Sequence, residues 1–221
     1  GVNAVPIAEW VVAMVLSATK QLPDRWVTEP PRHWVLADLG TLDGATVAFI
    51  GFGTINQATA KRLAPFGCRM VAVTRSGEPS EINAVETMTD VHAAVADADH
   101  VVVGAPLTPI TEGMIDDDLL AAMKPGAHLV NIARGRLVDQ EALRRSLDAE
   151  HLGLASLDVC DPEPLPTGHW LYKHPRVRLS PHVSWSDPGA IDRLHAAFTE
   201  NLERWLADQP LSNVVDVEAG Y

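Results

Sequence analysis

Three side chains in the second half of the chain are of types that together could hold an anion and move a proton: Arg134, Glu163 and His182. Arginine stays charged and presents a planar fork to a carboxylate. Histidine exchanges a proton near neutrality, and a carboxylate beside it favours the charged ring. Each residue also has a plain structural reading: Arg134 as a surface charge, Glu163 between Pro162 and Pro164 as a solvated acid, His182 as the cap of the turn that follows it. Position argues against treating them separately. Each comes after a short apolar run with the pattern of a buried strand, over residues 127–132, 152–159 and 176–179. In an open parallel sheet such strand ends share one edge, and ligands bind there.

The stretch that must position them is ATVAFIGFGTIN, residues 45–56. Val47, Phe49 and Ile50 lie in a β-prone apolar run, the pattern of a strand covered on both faces. Gly51 permits a sharp turn, and Gly53 has no side chain to keep a pyrophosphate from the backbone. Thr54 and Ile55 open a helical pattern reaching to about residue 65, whose first N–H groups and positive dipole end would face that anion. This is G-x-G-x-x-G with Asn56 in the third place, where glycine normally allows close helix-to-strand packing, so a slightly wider crevice is expected. A tight strand-to-helix turn without a ligand is the competing reading. A second strand over 69–74 ends at Thr74-Arg75-Ser76, where dinucleotide-binding folds place an acid on the adenosine ribose. With no carboxylate there and a guanidinium able to grip a phosphate, NADP is favoured over NAD; a solvated arginine is the alternative.

The remaining elements alternate strand and helix. A helix is expected over 6–20, followed to residue 44 by an arm carrying Trp26, Pro30, Pro31 and Trp34, which suits burial against a second subunit slightly better than folding back on its own domain. A helix over 91–97 precedes a strand over 100–104 that leads into Pro106-Leu107-Thr108. A helix over 116–123 has acids in its first turn, as the dipole prefers. Asp139 caps a helix over 140–149, and Asp187-Pro188 opens a closing helix to about 207 whose apolar face is Ile191, Leu194, Phe198, Leu202 and Trp205. The fold class is therefore α/β, a Rossmann-type doubly wound parallel sheet. Residues 1–186 form the dinucleotide-binding domain, and 187–221 form a return helix and tail.

Composition narrows the partners. The 221 residues are 47% hydrophobic with a formal net charge of -12, which disfavours nucleic acid and anionic membrane surfaces. The apolar stretch 10–16 is too short to span a bilayer. Cys68 and Cys160 have neither metal-ligand nor redox spacing and are expected to be buried structural thiols in a reducing, cytoplasmic setting. The nine histidines show no metal-ligand spacing.

The ordered motifs GFGTIN, NIARGRLVDQEAL (131–143), LDVCDPEPL (157–165) and SPHVS (180–184) resemble the D-2-hydroxyacid dehydrogenase family across essentially the whole chain. The resemblance implies that Arg134 binds the carboxylate and carbonyl of a 2-oxo acid, that His182 is the proton donor and acceptor, and that Glu163 orients and charges it. It further implies that Asp158 holds the nicotinamide carboxamide, that Pro106, Leu107 and Thr108 line the cofactor, and that Ala133 belongs to the cofactor-binding set. Those types suit the chemistry, because hydride arriving at a ketone carbon leaves negative charge on oxygen that an acid must neutralise. The formate dehydrogenase branch has glutamine where Glu163 stands, so formate is disfavoured. Arg75 and Ser76 resemble the NADP-linked glyoxylate and hydroxypyruvate reductases. Ser184-Trp185 departs from the small residues common after the histidine.

Family members also place a substrate-binding lobe of about a hundred residues before the first helix. It is expected to be missing from this chain, leaving nucleotide binding with little turnover. Two readings follow: an NADPH-preferring reductase of small 2-oxo acids, expected as a homodimer, or a nucleotide-sensing interaction module of the kind represented by corepressors in the same family.

Overall fold

Every residue of strand β1 (Thr46–Ile50) is buried, and its side chains alternate between two cores on opposite faces of one sheet. Val47 and Phe49 pack with Val11, Val15 and Leu63 on one face. Ala48 and Ile50 pack with Val101, Leu119 and Leu143 on the other. This is what a β-prone run without polar interruption dictates: with both faces apolar, each must be covered by helices. The protein is seen in a computed structural model that describes residues 1–22, 24–27, 29–30, 37–82 and 84–217.

Seven parallel strands, β1, β2 (Arg69–Val73), β3 (Val85–Met88), β4 (His100–Val103), β5 (His128–Asn131), β6 (Leu154–Leu157) and β7 (Val177–Leu179), lie in the order β3-β2-β1-β4-β5-β6-β7. Helices α1 (Ala4–Thr19) and α2 (Thr54–Leu63) cover the Val47 and Phe49 face; α3 (Val91–Ala96), α4 (Asp117–Ala122) and α5 (Gln140–Asp148) cover the other. Helix α6 (Ala190–Leu206) closes the chain. The strand order reverses between β1 and β4, which sets the crevice for a ligand at their carboxyl ends.

Several boundaries differ from the sequence expectation. Asp116 is an N-cap, its carboxylate accepting from Leu119 N–H, so α4 starts one residue later than expected. The closing helix begins at Ala190 and not at Asp187-Pro188, because Asp187 accepts from Gly189 N–H and from Arg193 in a turn ahead of it. Strand β3 was not anticipated: at the sheet edge only Val85 of its four residues is buried, so no apolar run marks it. The apolar face expected on the closing helix exists but is uncovered, with Phe198 69% and Trp205 65% exposed. Trp26 is exposed, and Pro31 and Trp34 of the expected arm lie outside the described residues.

At the amino edge of the sheet a buried polar chain ties α1 to three strands. Thr19 Oγ1 donates to Val15 O (2.7 Å), so His100 Nε2 must donate to Thr19 (3.3 Å). That leaves His100 Nδ1 as acceptor for His128 Nδ1–H (3.1 Å), and His128 Nε2 as acceptor for Ser156 Oγ–H (2.8 Å). All donors are thereby used in one direction, with both rings neutral. Burial holds His100 down to about 4. Burial and the neighbouring His100 hold His128 well below the usual histidine range.

Candidate active site

The carboxyl edge of the sheet carries the residues singled out from sequence. Gly51 follows β1 with φ 81°, the left-handed region that glycine enters without strain. A Cβ there would lie 2.8 Å from the backbone of Ala105, so the first turn is pressed against the end of β4. A Cβ on Gly53 would meet nothing within 4 Å. That open position, at the start of a ten-residue helix without an acid in its first turn, is a cradle of the right kind for a diphosphate. Thr54 is exposed and Ile55 half-buried beside it. Thr74, Arg75 and Ser76 follow the end of β2 directly; Thr74 Oγ1 accepts from Gly77 N–H (3.0 Å) and Ser76 Oγ from Glu78 N–H (3.3 Å).

Past β4, Pro106, Leu107 and Thr108 form a half-buried loop held by Thr111. The Thr111 hydroxyl donates to Pro106 O (2.6 Å) and accepts from Thr108 N–H (2.8 Å). Thr111 was not picked out from sequence, although threonine's habit of bonding nearby backbone is the signal that marks it.

Arg134 stands after β5, held by Asn131. This buried amide accepts from Ala133 N–H (3.0 Å) and donates to Arg134 O (2.9 Å), gripping both sides of the Ala133-Arg134 unit. The exposed guanidinium donates to Ala133 O (2.6 Å) and makes no ion pair among the described residues. Gly135 brings this loop against the next one: a Cβ on it would overlap the Cys160 carbonyl. Gln140 reinforces that contact, its side chain bonding the carbonyl and N–H of Asp161.

Glu163 and His182 meet. Glu163 Oε2 lies 2.9 Å from His182 Nδ1. An ionised carboxylate only accepts, so Nδ1 carries a hydrogen and Nε2 is the atom left to exchange a proton. Glu163 Oε1 accepts from Cys160 N–H (3.0 Å), which fixes the carboxylate. His182 has φ 54°, unusual for a residue with a side chain and costing about 1–3 kcal/mol. Three bonds hold it there: its N–H donates to Asp158 O (2.8 Å), its carbonyl accepts from Trp185 Nε1 (2.9 Å), and its ring reaches Glu163. Asp158 organises the same segment, its carboxylate accepting from the Ser180 hydroxyl and from Val183 and Ser184 N–H. Asp158 is 1% exposed, and its carboxylate is offset by these three hydrogen-bond donors.

Beside His182 and Glu163 opens a cleft of about 870 Å³, walled by Trp10 and Met14 of α1 and by Leu165 and Tyr172. Neither Arg134 nor the glycine turn lines it. Cys160 also faces this cleft and is half-buried, which corrects the expectation that both cysteines are buried; Cys68 is. Burial, with the Glu163 and Asp161 carboxylates nearby, pushes the Cys160 thiol up, so it is no ready nucleophile. Among the described residues no group of histidine, cysteine and acidic side chains could hold a metal ion, and no helix is long and apolar enough to cross a membrane.

A parallel sheet with a glycine turn at its switch point, and a histidine–carboxylate pair on the same edge, defines a Rossmann-type nucleotide-binding fold. Residues 12–184 match the family described as D-isomer specific 2-hydroxyacid dehydrogenase, NAD binding domain, and the chain belongs to that family. The chain is 30% identical over 218 residues to glyoxylate/hydroxypyruvate reductase A of Serratia proteamaculans, covering 96% of this chain and 68% of that one. It is 34% identical over 216 residues to human glyoxylate reductase/hydroxypyruvate reductase, covering 92% of this chain and 64% of that one. Among solved structures, the NADPH-dependent glyoxylate/hydroxypyruvate reductase of Sinorhizobium meliloti, in complex with NADP and sulfate, superposes with a TM-score of 0.90 at 28% identity, covering 98% of this chain and 69% of that one.

Proposed function

We propose that this chain is the cofactor-binding part of an NADPH-preferring reductase that converts a small 2-oxo acid, such as glyoxylate or hydroxypyruvate, to the D-2-hydroxy acid. The observation that carries the reading is the 2.9 Å contact between His182 and Glu163 on the sheet edge that also bears the glycine turn. The named reductases in Serratia, human and Sinorhizobium support the substrate class, and the NADP complex of the last supports the cofactor. Arg75 and Ser76, at the end of β2 where an acid would mark NAD, support it independently.

A bound reduced nicotinamide supplies the hydride. Arg134 holds the substrate carboxylate in two-pronged fashion and steadies charge on the carbonyl. His182 Nε2 hands a proton to the carbonyl oxygen as charge builds there, while Nδ1–H stays on Glu163, which stabilises the charged ring before transfer. Asp158 Oδ2 accepts one bond, from Ser184 N–H, and keeps a lone pair for the carboxamide. Gly51, Gly53, Thr54 and Ile55 hold the diphosphate, and Thr74, Pro106, Thr108 and Ala133 flank the nucleotide. The relatives' greater length and the uncovered face of α6 support a further lobe packing there and closing the cleft. Exposed Trp26 and the apolar cleft beside α1 support a homodimer, and two free cysteines support a cytoplasmic setting.

The test is reduction of glyoxylate, hydroxypyruvate and pyruvate with NADPH and with NADH, in a chain that includes any segment encoded ahead of Gly1. Activity abolished by His182→Ala supports the reading, whereas NADPH binding without turnover in that chain favours a nucleotide-sensing module. The 221 residues alone are expected to bind NADPH with little or no turnover.

A further inference from the structure

Asn56 occupies the place where the third glycine of a dinucleotide-binding turn normally lets the helix close on its strand. Its side chain is buried (1% exposed) in the first turn of α2. Nδ2 donates to the Gly51 carbonyl at 2.7 Å, and that acceptor fixes which way the amide faces. Oδ1 is buried with no hydrogen-bond partner among the described residues. Room for the side chain comes from the neighbouring strand, since a Cβ on Gly104, just past β4, would overlap Nδ2 and lie 2.9 Å from Cγ. Gly104 itself is held in place by its N–H donating to Ile50 O at 2.9 Å. The missing glycine has thus been moved from the helix to the adjacent strand end, and the space it leaves is filled by an amide that grips the turn.

We infer that Asn56 is a positioning residue for the diphosphate of the dinucleotide, acting by holding Gly51 in its left-handed conformation, and that Gly104 is its obligatory partner. The inference rests on the dinucleotide reading above. With Gly51 N–H donating to Val73 O at 3.0 Å and its carbonyl taken by Asn56, the peptide units on both sides of the turn are fixed before any anion arrives. That preorganisation removes an ordering cost from binding. An aspartate here would lose the donor to Gly51 O and set an unpaired negative charge beside both that carbonyl and the diphosphate.

The test measures NADPH and NADH binding by fluorescence titration, ADP-ribose and adenosine 2′-monophosphate binding by calorimetry, and thermal stability without ligand, for wild type, Asn56→Gly, Gly104→Ala, the double variant and Asn56→Asp. Gly104→Ala alone is expected to lower the melting temperature and weaken dinucleotide binding by about ten-fold, through overpacking. In the Asn56→Gly background the same change should be nearly silent, because the clashing amide is gone. Asn56→Asp should weaken ADP-ribose by about ten-fold or more while leaving adenosine 2′-monophosphate, which has no diphosphate bridge, unchanged. A purely structural role would weaken both. Additive effects of the two glycine-site changes, or equal losses for both nucleotides in Asn56→Asp, would overturn the inference. Wild type that binds neither NADPH nor NADH would instead overturn the functional reading on which it rests.

Discussion

Lowering the pH should unfold this protein through the His100–His128 pair before most carboxylates respond. With His100 held to about 4 in the fold against its ordinary value of 6.5, the unfolded chain binds protons that the folded chain refuses. Stability is therefore complete above about pH 6.5, falls as pH drops through the interval, and levels off below about 4. At pH 4.5 the His100 contribution alone amounts to a loss of about 2.5 kcal/mol, and His128 adds to it in the same direction. The structural reason is that the rings face each other through Nδ1 atoms 3.1 Å apart. Protonating His100 puts an N–H on its Nδ1 facing the Nδ1–H of His128 in a buried site, and protonating His128 puts one on its Nε2 facing the Ser156 hydroxyl, while Asp99 is already engaged by Lys124 (2.6 Å) and by Thr46 N–H (2.8 Å). Urea unfolding at pH 7 and pH 4.5, compared with the His100→Leu/His128→Leu variant, should show an extra midpoint decrease of about 1 M in wild type. Imidazole ¹⁵N titration of the wild type checks the premise directly. Rings that titrate near 6.5 in the folded protein, or an equal pH response in wild type and variant, would refute the reasoning.

Gly135→Ala should cost about 3 kcal/mol in urea unfolding, because its methyl group would overlap the Cys160 carbonyl and force apart the loops carrying Arg134 and Glu163. Thr111→Val removes the bonds to Pro106 O and Thr108 N–H, and is expected to weaken NADPH binding by about ten-fold in a fluorescence titration. Phe198→Ser/Trp205→Ser should clearly reduce the binding of a hydrophobic-surface dye to the 221-residue chain with little change in melting temperature, since both rings are exposed on α6.

Much of this architecture was legible in the residues themselves. An uninterrupted β-prone run ending in Gly51 and Gly53 dictates a buried strand and a turn open to an anion, and the alternation of such runs with helical patterns dictates a doubly wound sheet. Asp139 was legible as a cap because a helix start needs a local acceptor: its carboxylate takes Glu141 and Ala142 N–H. These features depend on near neighbours, so periodicity and residue type suffice to reveal them. Edge strand β3 was not legible, since a strand with one buried residue has no pattern of its own and exists because β2 offers it free hydrogen-bonding groups.

Sequence placed Glu163 and His182 at strand ends, but their pairing across 19 positions depends on the β6–β7 register and on Asp158 and Cys160 holding both loops. The exchange between Asn56 and Gly104 was equally hidden: the substitution is visible as a fault in a motif, yet its compensation lies 48 positions away on a strand that becomes a neighbour only when the sheet order reverses. The partial exposure of Cys160 was hidden for the same reason, as it is set by a cleft formed from α1 and the loop after β6. Local propensity chose the elements and aligned their chemistry along one edge; distances between side chains from different loops were decided by packing, which no residue carries in its own neighbourhood.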